Sequence, residues 1–476
     1  MDQPPPQPLV TMERMLHLAQ YGMDSQKLDS AMDLMEGFIR SCLPNPPVSA
    51  NAFLSADFSS PSGGDVAVDR VSALPDDLLR DVVSRLPAKD AARTAMLSSR
   101  WRPLWRSARL SLVDTNLLPG GGNNEPPPRR AKDFGAVTAA VSRVLEAHPG
   151  PFRCVALTCV PMDAHRAELV RWLHLLAVKG VEELVFVNRP WPLDLPFPAA
   201  VFSVASVTRL YLGVWRFPNT ATLPRGAAFP NLVELGLGCV VMEDRDLEFV
   251  LARSPVLKTL VIYASQRPVN LRIVSRSLWC VQLCRSYVHN VAVEDAPHLE
   301  RLFLWDTWCD HATRDRVTKV KIDQAPVLRI VGHLVPGIHV LEVGDTVIKV
   351  GTKASPTTVV PSVKILALKV HFEVRNEAKM VPSFLRCFPN VETLHVVSEK
   401  ADQPMGKLNQ KFWQENCRVE CVQSHIRMMV FHEYRGERSE LAFLKFILEN
   451  GEVLHLLFRY IDVSGDLDSN VVMQAT

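Results

Sequence analysis

No stretch of this 476-residue sequence reaches the roughly 18 uncharged apolar residues that a membrane-spanning helix needs. Charge of one sign is not in excess either, with 53 basic residues against 51 acidic ones. A formal net charge of +2 gives no general attraction for nucleic acid or for an anionic membrane. The N-terminus, MDQPPPQPLVTMERMLH, lacks a basic segment followed by an apolar one and does not read as a secretory signal. There is no Asn-x-Ser/Thr sequon, and the ten cysteines stand singly or in C-x₃-C and C-x₄-C pairs. That usage favours free thiols in a reducing compartment, nuclear or cytoplasmic, over a secreted disulfide framework.

The hydrophobic fraction is 47%, enough for a sizeable core, and the length suggests about two to four domains. The densest segment is Val68 to Asp114. Pro75 suits the first turn of a helix, and Asp76 and Asp77 suit its positive end. Leu78, Leu79, Val82, Val83 and Leu86 recur at helical spacing, and Pro87 stops the run. Ala91 to Met96 predicts a short second helix. Ser98 is placed to cap a third, which carries Trp101, Leu104 and Trp105 on one side. A unit this small buries too little surface to be robust alone, so its excess apolar face suggests docking on another protein.

From about residue 150 the pattern L-x-x-L-x-L, with Val, Ile or Phe allowed, recurs. Clear members are Val181-Leu184-Phe186, Val207-Leu210-Leu212, Leu232-Leu235-Leu237, Leu257-Leu260-Ile262, Leu278-Val281-Leu283 and Leu299-Leu302-Leu304. Phe152-Val155-Leu157, Val317-Val320-Ile322, Ile338-Leu341-Val343, Val363-Leu366-Leu368 and Val391-Leu394-Val396 complete the series. The spacing is near the 20–29 residues of leucine-rich repeats, which stack short parallel strands into a sheet with one open face. No Asn stands three residues after the last apolar position of the better units. Trp215, Val240, Ser265, Ser286 and Thr307 stand there instead, which predicts an irregular stack. The residues between the apolar positions, namely Glu234, Gly236, Lys258, Thr259, Val261, Gln282, Arg301 and Phe303, are candidates for the open face. Farther on, Ile426 to Phe431 reads as a strand and Ser439 as the cap of a helix with Leu441, Leu444, Ile447 and Leu448. Asn450-Gly451 reads as its left-handed stop, and Val453 to Phe458 as a returning strand.

Leu74-Pro75-Asp76-Asp77-Leu78-Leu79 through Leu97-Ser98-Ser99-Arg100-Trp101-Arg102-Pro103-Leu104-Trp105 resembles the F-box of plant F-box proteins. The segment from Pro361 through Phe388-Pro389-Asn390-Val391-Glu392-Thr393-Leu394 to Glu449-Asn450 resembles the FBD region of the same family, and the repeats between are similar to its degenerate leucine-rich repeats. The resemblance implies an α/β multi-domain fold: a three-helix F-box, an irregular leucine-rich-repeat solenoid and a C-terminal strand-helix-strand cap. The expected boundaries are an extension at 1–66, the F-box at 67–114, a linker at 115–135, repeats at 136–360, the FBD region at 361–460 continuing the solenoid, and a tail at 461–476. It further implies a non-catalytic substrate receptor of a cullin-RING ubiquitin ligase. Leu74, Pro75, Leu78, Leu79, Val82, Leu86 and Pro87 would contact a Skp-type adaptor. Leu97, Trp101 and Trp105 would support the F-box core, and Glu234, Lys258, Gln282, Arg301 and Phe303 would face an unidentified protein substrate. The alternative is a leucine-rich-repeat scaffold with no dedicated degradation substrate.

Other groups that resemble sites have simpler readings. Cys280, Cys284 and His289, like Cys417 and Cys421, lack a fourth ligand, so structural thiols are the expectation and no metal or cofactor is implied. Trp308-Cys309-Asp310-His311 has catalytic side-chain types, but sequence neighbours rarely form a dyad. Glu243, Asp244, Asp246 and Glu248 suit a solvated helix start. Gly120-Gly121-Gly122 lacks the Lys-Ser/Thr of a phosphate loop. Arg100, Arg102, Arg106 and Arg109 form a basic stripe around two tryptophans. In a near-neutral chain this favours an acidic protein face over nucleic acid.

Overall fold

Pro75 stands immediately before helix α1 (Asp76–Ser84), and Asp76 and Asp77 lie in its first turn. The Arg85 amide closes it on the carbonyls of Val82 and Val83. Pro87 does more than end this helix, because it is also the N-cap of α2 (Ala88–Thr94). Helix α3 (Trp101–Ser107) starts after Arg100 without a side-chain cap, so Ser98 does not play that part; its carbonyl accepts from the Trp101 amide at 3.2 Å. Leu79, Val83, Ala91, Trp101 and Leu104 are the buried contacts of this three-helix unit.

The computed structural model describes residues 37–44, 71, 73–117, 131–160, 162–188, 195–265, 267–307, 317–401, 406, 408, 410–415, 418–451 and 455–459. Most of the 1–66 extension, the Gly120–Gly122 run, the Trp308–His311 group, Cys417 and the 461–476 tail lie outside these residues. The chain divides into two compact units, Met1–Leu232 with Gly236–Met242, and Val233–Leu235 with Glu243–Thr476.

In the first unit the strands are β1 (Leu110–Val113), β2 (Phe152–Leu157), β3 (Glu183–Val187) and β4 (Arg209–Gly213), each parallel to its neighbour. β1 lies inside the segment read as F-box, yet it is the first strand of this sheet. Helices α4 (Ala131–Ala147) and α5 (Arg166–Lys179) supply the crossovers. The inward positions of the strands are filled by Val155, Leu184, Phe186, Leu210 and Leu212, and α5 contributes buried Trp172, Leu173 and Leu176. Strand β5 (Glu234–Gly238) falls on the division.

In the second unit the main sheet runs β6 (Thr259–Tyr263), β8 (Cys280–Cys284), β10 (Arg301–Trp305), β12 (Ile330–Leu334), β15 (Ile365–Val370), β16 (Thr393–Ser398), β17 (Met428–His432) and β18 (His455–Arg459), all parallel. A second sheet is built from β7 (Val269–Val274), β9 (Val288–Asp295), β11 (Thr318–Gln324), β13 (His339–Val343) and β14 (Thr346–Val347), in the order β14-β13-β11-β9-β7. Two members of the sequence repeat therefore belong elsewhere. Val317-Val320-Ile322 and Ile338-Leu341-Val343 mark the second sheet, and the repeat strand between them is β12. Both sheets bury alternate residues, so periodicity alone does not tell them apart. Helix α6 (Asp244–Ala252) begins with a reciprocal capping box between Glu243 and Asp246, which accounts for the acidic group there.

Five repeat strands in succession, β4, β5, β6, β8 and β10, are each followed by a left-handed residue: Val214, Cys239, Ala264, Arg285 and Asp306, with φ of 63°, 52°, 54°, 43° and 47°. The Arg285 amide donates to the Trp305 carbonyl at 2.8 Å and the Ala264 amide to that of Cys284 at 3.0 Å. Each following side chain then works differently. Trp215 Nε1 donates to the Phe186 carbonyl at 2.9 Å, Ser286 Oγ accepts from the Ser265 amide at 3.1 Å, and Thr307 Oγ1 meets His339 Nε2 at 3.2 Å. These contacts stand where a regular repeat would carry asparagine.

At the C-terminus, after the short α7 (Arg375–Ala378), α8 (Val381–Cys387), α9 (Gln410–Glu415) and α10 (Glu420–Ser424), helix α11 (Arg438–Asn450) connects β17 to β18. Its N-cap is Glu437, boxed with Glu440, and not Ser439. Gly451 is extended at φ −132°, so it is no left-handed stop.

Candidate functional site

The α1 helix carries more apolar surface than the unit behind it can cover. Leu79 and Val83, four residues apart, turn inward and are fully buried. Leu78 and Val82, each one residue earlier in the chain, remain 52% and 41% exposed. The turn after α2 adds Met96 and Leu97 at 86% and 67% exposed, and Val71 is also open. Fully covering such a side chain contributes about 1.5–3 kcal/mol, so this ridge is a favourable surface for a partner.

The expected adaptor contacts therefore separate. Pro75, Leu78 and Val82 are exposed, Leu74, Leu86 and Pro87 are half-buried, and Leu79 belongs to the helical core. The expected core residues separate too. Trp101 is buried, but Leu97 is not in the core, because α2 ends at Thr94 and the turn projects it outward. Trp105 is half-buried, with its ring edge-on to His148 at 5.2 Å, and His148 meets Phe152 at 5.3 Å. His148 Nε2 lies 3.0 Å from the Ala108 carbonyl. Trp105 thus sits at the seam between the helical unit and the first repeat.

Of the basic stripe, Arg100 pairs with Asp76 at 2.7 Å and Arg109 with Glu182 at 2.8 Å. Arg102 and Arg106 instead line an open hollow with Ala95, Met96, Pro103 and Trp105. The hollow adjoins the ridge through Met96, so a partner there would meet apolar and basic surface together.

The second surface is the outward face of the main sheet in the second unit. Register places Val261, Gln282 and Phe303 in one row and Thr259, Cys280 and Arg301 in another. Gln282, Arg301 and Phe303 are half-buried there, and Arg301 stacks over the Trp279 ring at 4.3 Å. Glu234 is half-buried, and its charge and that of Arg301 both act on the Cys280 thiol, which burial pushes up. Lys258 is not part of these rows; it precedes β6, and its carbonyl accepts from the Trp279 and Cys280 amides. Cys280 and Cys284 share one strand, whereas His289 stands on β9 of the other sheet. Among the described residues no three His, Cys, Asp or Glu side chains are grouped to hold a metal.

Farther along the same sheet, toward the C-terminal ends of its strands, lies a polar cluster that the repeat reading missed. Lys369 reaches Asp306 at 2.8 Å and Glu399 at 2.9 Å. Burial works against its charge, yet the bonds and charges of the two carboxylates carry it above the ordinary lysine range. His371 meets Glu377 at 2.7 Å and Glu399 at 3.1 Å, and these hydrogen bonds raise its imidazole to about 9. The same His371 contact, with Lys369, lowers the Glu399 carboxyl to about 2. His395 and His432 stack with centroids 5.6 Å apart, and burial lowers neighbouring His333 to about 3. Lys369 and His395 occupy outward positions of their strands, a signal the alternation carried. His371, Glu377 and Glu399 lie beyond the strand ends, where it carries none. The ion pairs satisfy one another, so the cluster offers a fixed polar relief for recognition.

Three family models match the chain in order: "F-box domain" over residues 71–112, "FBD-associated F-box protein At5g56370, LRR repeats" over 169–396, and "FBD" over 414–456. The chain is similar to the Arabidopsis thaliana "Putative F-box/FBD/LRR-repeat protein At3g49480", at 24% identity over 82% of this chain and 89% of that protein. It is 31% identical to the A. thaliana "F-box/LRR-repeat protein At3g59200" over 41% of this chain, a match spanning 37% of that relative. The rice "MEIOTIC F-BOX protein MOF" is 30% identical over 37% of the chain and 43% of its own length.

Proposed function

The chain belongs to the plant F-box/FBD/leucine-rich-repeat proteins, and from that premise we propose that it is the non-catalytic substrate receptor of a cullin-RING ubiquitin ligase, nuclear or cytoplasmic, whose F-box docks on a Skp-type adaptor. The observation that carries this reading is the uncovered ridge of Leu78, Val82, Met96 and Leu97 on a unit whose own core is already filled by Leu79, Val83, Trp101 and Leu104. The proposed contact is this ridge together with Leu74, Pro75, Leu86 and Pro87. Its mechanism is proximity: a protein held on the repeats stands near a charged ubiquitin, and holding it raises the effective concentration. Half-buried Gln282, Arg301 and Phe303, with the Lys369 cluster, are the surface proposed for that protein.

The test is co-precipitation with a Skp-type adaptor. Leu78→Asp with Val82→Asp puts two unpaired charges on the ridge. Capture by the adaptor is expected to fall at least tenfold while circular dichroism of the chain is unchanged. Undiminished capture would remove the assignment.

A further inference from the structure

The outward faces of the repeat strands in the two units differ in what covers them. In the second unit the outward residues Gln282, Phe303, Lys369 and His395 are half-exposed. In the first unit the corresponding positions of β2, β3 and β4 are closed: Cys154, Val185, Val187 and Tyr211 are 2%, 6%, 3% and 4% exposed.

A segment of the chain's own N-terminal extension covers this face at Val187 and Gly213, while the Tyr211 ring lies over Gly236. Residues 37–42 are helical, and Ile39 among them is fully buried. Gly213, the last residue of β4, marks the seat. A Cβ built on it would come within 2.9 Å of a Val187 methyl and 3.3 Å of Ile39 Cγ2, so the absent side chain is what lets Ile39 approach the sheet. Arg40, next in sequence, donates to the Thr158 carbonyl at 3.3 Å beyond the end of β2. Its charge also acts on Asp114, whose buried carboxylate accepts from the Thr158 and Cys159 amides, both at 2.8 Å. The segment thus fills an apolar seat with an aliphatic side chain and satisfies an acceptor beside it with a guanidinium.

We propose that residues 37–42 are an intramolecular ligand: the outward face of the first repeats is a groove for a short helix bearing an aliphatic side chain followed by an arginine, and a protein that binds there presents the same pair and displaces the segment. The proposal extends the reading of the repeats as a protein-binding surface but does not use the adaptor. An isolated short helix is marginal in water, so the order of residues 37–42 draws on the seat. The seat is built by residues far away in sequence, namely Gly213, Val187 and Thr158, and this gives it a fixed position a partner can compete for.

The experiment measures a fluorescent peptide of residues 31–46 against two full-length chains, the unaltered one and one carrying Ile39→Asp with Arg40→Glu. The altered chain is expected to bind the peptide at least tenfold more tightly, because its own segment no longer competes, and a peptide carrying Ile39→Asp is expected to bind neither. Equal binding by both chains, or no binding by an altered chain whose circular dichroism matches the parent, overturns the proposal. Hydrogen exchange of the unaltered chain provides a measurement independent of the variant's folding: the amides of residues 40–43 are expected to exchange at least tenfold more slowly than in the free peptide, and exchange at the peptide's rate overturns it. No adaptor is present in either assay, so a failed adaptor capture leaves this result standing.

Discussion

Gly180 ends α5 in the left-handed region at φ 69°, with no atom within 4 Å of where a Cβ would stand. Gly180→Ala therefore meets no clash and isolates the backbone cost, about 1 kcal/mol of lost stability. A lower urea midpoint with an unchanged slope is the expected readout. Stability depends on pH through His371 and Glu399. His371 is raised from 6.5 to about 9, so its contribution is complete below pH 6.5 and is lost as pH rises through about 9. Glu399 is lowered from 4.5 to about 2, so its contribution is complete above pH 4.5 and is lost as pH falls through about 2. His333 and His339, lowered to about 3 and about 4, favour their neutral forms and oppose acidification below pH 6.5. The parent's advantage in thermal midpoint over His371→Gln should then be largest between about pH 4.5 and 6.5 and shrink as pH rises from 6.5 through about 9. An advantage that stays constant across that range would assign His371 a packing role only. Residue by residue, the sequence was legible where one rule decides, as with Pro75 at the start of α1. It misled where neighbours compete for a role: Glu437 outdoes Ser439 as a cap because Glu440 is placed to answer it.

Among the elements, α11 depends on a single buried carboxylate. Glu440 is fully buried and accepts from Ser398 Oγ at 2.5 Å, from the Arg435 amide at 3.1 Å and from the Glu437 amide at 2.9 Å. Arg435 stands 3.5 Å from the same carboxylate and also donates to the Ser398 carbonyl at 2.9 Å. Glu440 thus ties the start of α11 to the end of β16. Glu440→Ala takes the shared acceptor from a hydroxyl and two amides and is expected to cost roughly 2–4 kcal/mol. Chemical unfolding measures it, and a loss under about 1 kcal/mol would show that water replaces the carboxylate readily. The strands themselves were the most legible elements, because each buries its alternate residues and a shift of one would expose them all. Their assignment to a sheet was not legible. Val320 and Ile322 alternate as Leu302 and Leu304 do, yet β11 pairs with β9 and β13 while β10 pairs with β8 and β12. Partner choice is set by chain path between strands, and alternation carries no record of that path.

For the whole molecule, composition and packing give different divisions. The Gly- and Pro-rich run at 118–130 suggests an F-box joined to the repeats by a loose tether, but contacts distant in sequence join the two regardless. Pro87 bridges to Ser111 of β1, Trp105 packs on His148, and Arg109 pairs with Glu182 at 2.8 Å. The compact first unit accordingly includes both the F-box helices and β1 to β4, and the division comes at β5, within an unbroken repeat pattern. Such couplings rest on single residues and leave no compositional trace, whereas Gly and Pro report only local chain preference. The proposed adaptor would act through this coupling. A ligand that binds only the folded state stabilises whatever unfolds with its site, by about 2.7 kcal/mol at a hundredfold excess over Kd. If the F-box and first repeats open together, adding a Skp-type adaptor should slow hydrogen exchange not only in α1 to α3 but also in β1, β2 and β3, away from the exposed ridge. Slowing confined to the three helices would mean that Trp105 and Arg109 hold the seam too weakly to couple it, and that the F-box unfolds on its own.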